Sequence, residues 1–313
     1  MQNKKFYLEV SRKYKYKMLW TISSHCNFNC VYCYNAKEIL DNFITKIYTP
    51  EHIAESFNKT GKSWLIFFLG GEPFLMPDFL PLMHELTKKH HIQISTNLCS
   101  DNVFKFPDYV PTDRVMLLSA SFHVLEREKV DPDFSKYIEK YHFLKDHGYN
   151  IIGNYVTYPP LFNRIEKDFE YLHKHGVEKI MPIPYRGEFE GKHYPYEYSD
   201  QQLEIIARLA DLKKSEVNFP WPQTTKKGII CEAGHRYFTM DNFGNVIQCF
   251  SVKKSFGNLF EGTFIPNKRN TKCMSGSEEW YDCYLGKIRT NVFDKIGAFL
   301  HNKNIISKFG FCS

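Results

Sequence analysis

The chain has 313 residues, of which 43% are hydrophobic, 16% aromatic and 24% charged. That mixture can fill a core, excludes a disordered chain, and leaves room for one large α/β domain with a smaller appendage. The formal net charge of +6 is concentrated in residues 1–20 and 284–313, and without a sustained basic stripe interleaved with aromatics it excludes the nucleic-acid-binding class.

No apolar run approaches the roughly 18 residues that span a bilayer, and no signal segment opens the chain, so a cytoplasmic protein without a membrane span is expected. Nine cysteines, odd in number and clustered, suit metal ligation in a reducing compartment better than a secreted disulfide framework.

In chain order, strand-length apolar runs alternate with helix-period segments. Strands are predicted over 17–23, 63–69, 91–96, 114–121, 149–157 and 178–184, and helices near 50–60, 76–90, 101–107, 125–147, 160–175 and 199–216. Six βα units are too few for a closed eight-stranded barrel, so residues 1–216 read as a partial, laterally open (β/α)6 barrel. From 217 the pattern changes: Pro220 and Pro222 flank Trp221, and strands 235–240 and 245–250 enclose an Asp-Asn-Phe-Gly turn. Residues 217–290 read as a small cysteine-rich β-hairpin and helix module. Residues 291–313 read as a tail whose amphipathic helix places Val292, Phe293, Ile296, Phe299 and Leu300 on one face.

Cys26, Cys30 and Cys33 follow the first strand within eight residues. Three soft thiolates on one loop suit three corners of an iron-sulfur cubane and leave the fourth iron open to a small chelating molecule. Zinc, with His25 or a remote residue as fourth ligand, is the alternative, although Cys-x3-Cys-x2-Cys is not a usual zinc spacing. The motif resembles the signature of the radical S-adenosylmethionine (SAM) superfamily, down to the aromatic Tyr32 before the last cysteine.

That resemblance implies a 4Fe-4S cluster on Cys26, Cys30 and Cys33, with Tyr32 near the adenine of bound SAM. Gly70-Gly71-Glu72-Pro73 after the second strand is similar to the family's glycine-rich motif. There the glycines permit close backbone approach, and the Glu72 region supplies acceptors for the methionine ammonium. Ser95-Thr96-Asn97 closes the third strand, Ser121 and His123 close the fourth, and Asn154 lies on the fifth. All fall at the strand ends where βα barrels place their sites. His123 stands where family members often have Asp.

In the second module Cys231 and Cys249, with Gly244 between them, resemble the opening of the SPASM or twitch module, which holds auxiliary clusters. Cys273 and Cys283 would complete four ligands for one auxiliary 4Fe-4S cluster, with Cys312 as a substitute ligand or a free thiol; a four-cysteine zinc site is the alternative. Cys99 reads as a small buried hydrophobe.

The resemblance implies reductive cleavage of SAM to a 5'-deoxyadenosyl radical that takes hydrogen from a C-H bond, with a flavodoxin- or ferredoxin-type reductant. Because only 25 residues precede Cys26, the expected substrate is a small polar molecule of the sugar or aminocyclitol type, oxidised or epimerised, with peptide modification as the alternative. A non-catalytic iron-sulfur or zinc protein is the reading from another class. Tyr185, Arg186, Glu188 and His193, on the segment leaving the sixth strand, are candidate substrate contacts. Cys312, Tyr185, Arg186 and His123 are the candidate catalytic residues, and Cys99 or Cys312 the hydrogen donor if the reaction is epimerisation.

Overall fold

The computed structural model describes residues 13–33, 43–211, 228 and 230–275. Six parallel strands run through the first part: β1 (Tyr16–Ser23), β2 (Trp64–Gly70), β3 (His91–Thr96), β4 (Val115–Ser121), β5 (Ile151–Thr157) and β6 (Ile180–Pro184). Each pairs with the next in chain order. The predicted strands are present with ends shifted by two residues or fewer, since apolar runs buried on both faces are the strongest strand signal.

The free edge of β1 is taken by a strand from the second part. Strand β10 (Tyr237–Met240) lies parallel to β1, and β11 (Asn245–Cys249) and β12 (Val252–Asn258) continue antiparallel. One nine-stranded sheet results, in the order β12-β11-β10-β1-β2-β3-β4-β5-β6, and among the described residues neither edge strand has a further partner. Both edges resist further pairing: β6 carries Pro182 and Pro184, and β12 exposes Lys253, Lys254 and Ser255. The expected boundary near 216, the Trp221 segment and the amphipathic C-terminal helix lie outside the described residues.

Helices cover one face of the sheet: α1 (Pro50–Lys59), α2 (Phe79–Thr87), α3 (Phe106–Tyr109), α4 (Val124–Val130), α5 (Ser135–Asp146), α6 (Ile165–Lys174) and α7 (Asp200–Leu209). Under them Trp20, Ile66, Phe68, Ile92 and Ile94 are buried in the main core. The rings of Phe57, on α1, and Phe68 lie 6.0 and 5.4 Å from Trp20. The concave face has its own apolar lining of Leu19, Leu65, Phe67 and Tyr237. Strand alternation separates the two sets.

Two expectations need correction. The helix read over 125–147 is two helices, because Pro132 keeps Asp131 out of the helical region and the Asp131 carboxylate accepts from Lys136 N (3.2 Å) and Tyr137 N (3.0 Å), starting α5 afresh. The segment after β6, for which no strand is predicted, contains the hairpin β7 (Gly187–Phe189) and β8 (Lys192–Tyr194). Short strands β9 (Ile230–Cys231) and β13 (Thr271–Lys272) pair with each other. Among the described residues no helix is long and apolar enough to cross a membrane.

His90 gives the fold a pH dependence. It is buried between α2 and β3, accepts the Trp64 backbone N-H at Nδ1 (3.4 Å), and is held down to about 4 by burial and then by its cationic neighbours. The unfolded chain therefore binds the extra proton between pH 6.5 and 4, so His90 contributes stability above pH 6.5 that is lost as pH falls. We expect a loss of about 1 kcal/mol by pH 5.5 and about 3 kcal/mol below pH 4. Urea denaturation across this range checks it, with His90→Asn, which keeps the acceptor, flattening the acid limb.

Candidate functional site

The first thiol loop leaves the end of β1 and is clamped from several strand ends. Gly71 N donates to Ser23 O (2.7 Å) and Glu72 N to His25 O (2.8 Å). A Cβ on Gly71 would lie 1.9 Å from His25 O, and one on Gly70, at φ +133, would lie 2.2 Å from Ser23 O. The glycine pair thus lets the end of β2 press against the backbone of the thiol loop itself.

Glu72 is 1% exposed, and its carboxylate accepts from Phe74 N (3.1 Å), Thr96 Oγ1 (2.7 Å) and Asn97 N (2.6 Å). Burial pushes its carboxyl above the usual range, while these donors and the Arg127 cation pull the other way. Three donors thus engage the carboxylate within the fold. Pro73 is buried in the turn that follows. Thr96 is spent on Glu72. Asn97 reaches the loop, donating from Nδ2 to Asn27 Oδ1 (2.9 Å) and to Cys26 Sγ (3.8 Å).

Cys26 is half-buried, Cys30 buried and Cys33 exposed. Phe28 N donates to Cys26 Sγ (3.4 Å), and Cys33 N closes a turn onto Cys30 O (3.0 Å). Burial raises the Cys30 thiol to about 12, and the charges of Cys33 and Cys26 add to it. Among the described residues no three His, Cys, Asp or Glu side chains converge as ligands of a single ion. Three thiols on one loop are the soft donor set an iron-sulfur cluster takes, and backbone N-H donation to the Cys26 sulfur favours the thiolate form such a cluster needs.

Two residues of α4 complete the clamp, and neither stood out in the sequence. Glu126 Oε2 accepts from Asn29 N (3.2 Å). Arg127 is 1% exposed and lies under the Phe28 ring (5.1 Å to its centroid) and against Tyr137 (4.9 Å). It donates to Phe122 O (3.4 Å), Asn97 O and Cys99 Sγ (3.2 Å). A Glu-Arg pair early in a helix reads as a solvated face, so no local signal could have exposed this role.

The Tyr32 hydroxyl is 3.4 Å from His123 Nδ1, and the two rings lie 5.8 Å apart. His123 begins α4 in the left-handed region (φ +47) and is held down to about 4 by burial, then by Arg127. Its position is the wall behind Tyr32. Ser95, Ser121 and Asn154 are half-buried on the concave face, with Ser121 and Asn154 in register. The Tyr185 hydroxyl donates to Glu188 O (3.0 Å) and its backbone N to the Tyr198 hydroxyl (2.8 Å). Arg186 is half-buried, and Glu188 and His193 face each other, exposed, across the β7-β8 hairpin. A cavity of about 390 Å³ beside that hairpin is lined by Pro159, Phe189, Lys192 and Tyr194 among others, and by none of the candidate cofactor residues.

Of the second thiol set, Cys231 on β9 and Cys249 at the end of β11 border the concave apolar lining. Gly228 N donates to Cys273 O (2.8 Å), and Cys273 follows by two residues Thr271, the partner of Cys231 in the β9-β13 pair. Cys283 and Cys312 lie outside the described residues. Lys17 of β1, fully buried, has its ammonium 3.5 Å from Glu232 and pins the Cys231 segment to β1; burial pulls its pKa down. Extending the β10-β11 register puts Cys249 level with Tyr237 and hence with Lys17. The six steps along β1 from Lys17 to Ser23 therefore separate the two thiol sets by about 20 Å along the strands.

The family model described as the Radical SAM superfamily matches residues 20–190. No curated protein matches the chain. Among solved structures, native anSMEcpe with bound AdoMet and Kp18Cys peptide is similar at a TM-score of 0.56 and 17% identity, over 80% of this chain and 81% of that one. Streptococcus suis SuiB bound to S-adenosylmethionine matches at 0.54 and 16%, over 83% and 68%. SuiB bound to precursor peptide SuiA matches at 0.52 and 13%, over 94% and 70%. At these identities the likeness is one of fold.

The clamp makes a direct prediction. Glu72→Ala leaves the Thr96 hydroxyl and Asn97 N-H buried without an acceptor and Arg127 without its nearby counter-charge. We expect a loss of about 3–5 kcal/mol in anaerobic urea denaturation, with Glu72→Gln recovering part of it.

Proposed function

Because this chain belongs to the radical SAM superfamily, whose members use a 4Fe-4S cluster and SAM, we propose that it is an enzyme that modifies a peptide. Bound together, those cofactors supply reductive cleavage of SAM to a radical able to take hydrogen from an unactivated C-H bond. Cys26, Cys30 and Cys33 would hold the cluster, in a loop braced by Glu126, Arg127 and Asn97. Tyr32, the backbone around Gly70-Gly71, Ser95, Ser121 and Asn154 border the space SAM would take, and the apolar concave face excludes water from it.

What carries the peptide reading is the shared fold of anSMEcpe and SuiB, each solved with a bound peptide. The open-edged sheet agrees with it, because a chain can lie along the concave face between β6 and β12. The sugar-type substrate, inferred from the segment before Cys26, has no comparable support. Cys231, Cys249 and Cys273, with Cys283, would hold an auxiliary cluster at the far end of that face. There it would accept the second electron of an oxidation. Residues 217–290 would then be a SPASM-like unit built onto the sheet of the barrel, and a flavodoxin or ferredoxin would supply the first electron.

Anaerobic reconstitution tests the assignment. We expect about eight irons per chain and 5'-deoxyadenosine on reduction. Cys30→Ala should abolish that product, whereas Cys231→Ala should cut iron to about four per chain and leave SAM cleavage in place. Stoichiometric zinc would defeat it. Loss of two hydrogens from members of a mixed pentapeptide pool, and not from a pool of sugars and aminocyclitols, supports the peptide reading.

A further inference from the structure

The concave face carries polar side chains that the cofactor motifs leave unused. On β3, Ile92 and Ile94 are fully buried under the helices, so alternation puts His91, Gln93 and Ser95 on the opposite face. Gln93 is in register with Phe67 of β2 and Leu117 of β4, and Phe67 belongs to the apolar lining shared with Leu19, Leu65 and Cys249. Gln93 itself is half-buried, and its Oε1 atom is buried with no hydrogen-bond partner among the described residues. The same is true of Oδ1 of Asn154, on the same face two strands away.

A buried carboxamide oxygen without a donor is a net cost that a fold has no reason to keep, since Met would fill the same shape among Leu and Phe neighbours without it. Two such atoms on one concave face mark it as a surface completed by a ligand. A carboxamide offers an acceptor and a donor side by side, the arrangement a peptide group matches with its N-H and C=O.

We propose that Gln93 is a substrate-binding residue whose carboxamide pairs with a backbone peptide group, Oε1 accepting the N-H and Nε2 donating to the C=O. The inference rests on the peptide reading above and deepens it by placing the chain. Through Phe67, Gln93 is level with Leu19, two residues above Lys17 and four below Ser23. Along the strand direction it therefore lies about 7 Å above Cys249 and about 13 Å below the end of β1, and two strands, about 10 Å, across the sheet from β1. An extended peptide anchored at Gln93 covers the resulting distance of about 16 Å with about five residues, which puts the reacting residue about five positions from the anchored one. A single sugar ring held at Gln93 would fall short.

The test uses the anaerobically reconstituted full-length enzyme with Gln93→Met and Gln93→Glu at matched iron content. Saturation-transfer NMR follows N-methylacetamide, the smallest peptide group, and N,N-dimethylacetamide, which lacks the N-H. Gln93→Met, free of the unpaired atom, should raise Tm by about 2–4 °C and cut the N-methylacetamide signal at least about fivefold. Gln93→Glu, keeping the acceptor and losing the donor, should retain N-methylacetamide and lose N,N-dimethylacetamide. A lower Tm in Gln93→Met with the N-methylacetamide signal unchanged in both variants means that Gln93 is bonded within the fold. That result overturns the proposal and leaves the peptide reading standing. A wild-type signal stronger for methyl α-glucoside than for either amide overturns the peptide reading itself.

Discussion

The buried opposition of Glu72 and Arg127 organises the end of the barrel where the first thiols sit. Glu72 ties the end of β2 to the end of β3 through three donors. Arg127 ties the ends of β3 and β4 to the thiol loop through two carbonyls and the Phe28 ring. Neither charge would survive burial alone, because an ion withdrawn from water must recover its hydration in hydrogen bonds and counter-charge. Together they fix the strand ends so that the loop between Cys26 and Cys33 has one way to lie.

The second constraint is the sheet. Because β10 pairs directly with β1, the loop that carries the first thiols and Cys249, at the end of β11 beyond β10, are attached to one sheet. Their separation along the strands is a property of strand register, set by Lys17 facing Tyr237 and reinforced by the buried Lys17-Glu232 contact. The strand register between the end of β1 and the end of β11 is therefore independent of loop conformation.

The six-strand order and the motif positions at strand ends were legible because both rest on local pattern: apolar runs with period two, followed by glycine or short polar residues. The break at Asp131-Pro132 was legible in principle, since a proline inside a helical period argues for a boundary, but the flanking periodicity on both sides concealed it. The β7-β8 hairpin was missed because its strands are three residues each and mostly exposed, too short for alternation to register. Arg127 and Gln93 were invisible for a different reason. Burial of a long polar side chain is decided by what other strands bring next to it, and the Glu72 carboxylate, read as a ligand group, proved to face Thr96 and Asn97, 24 and 25 residues away.

The contacts that shape the first loop run almost entirely through groups other than thiols. Asn29 N is held by Glu126, Asn27 by Asn97 and Phe28 by Arg127, while Gly70 and Gly71 press β2 against the residues that precede Cys26. Contacts of the protein chain thus shape the loop, and the thiols are displayed on that frame. Burial alone makes an ionised thiol unfavourable at Cys26 and most of all at Cys30, so the frame favours an occupant that brings positive charge to sulfur. An iron cluster would do so at each thiolate it binds.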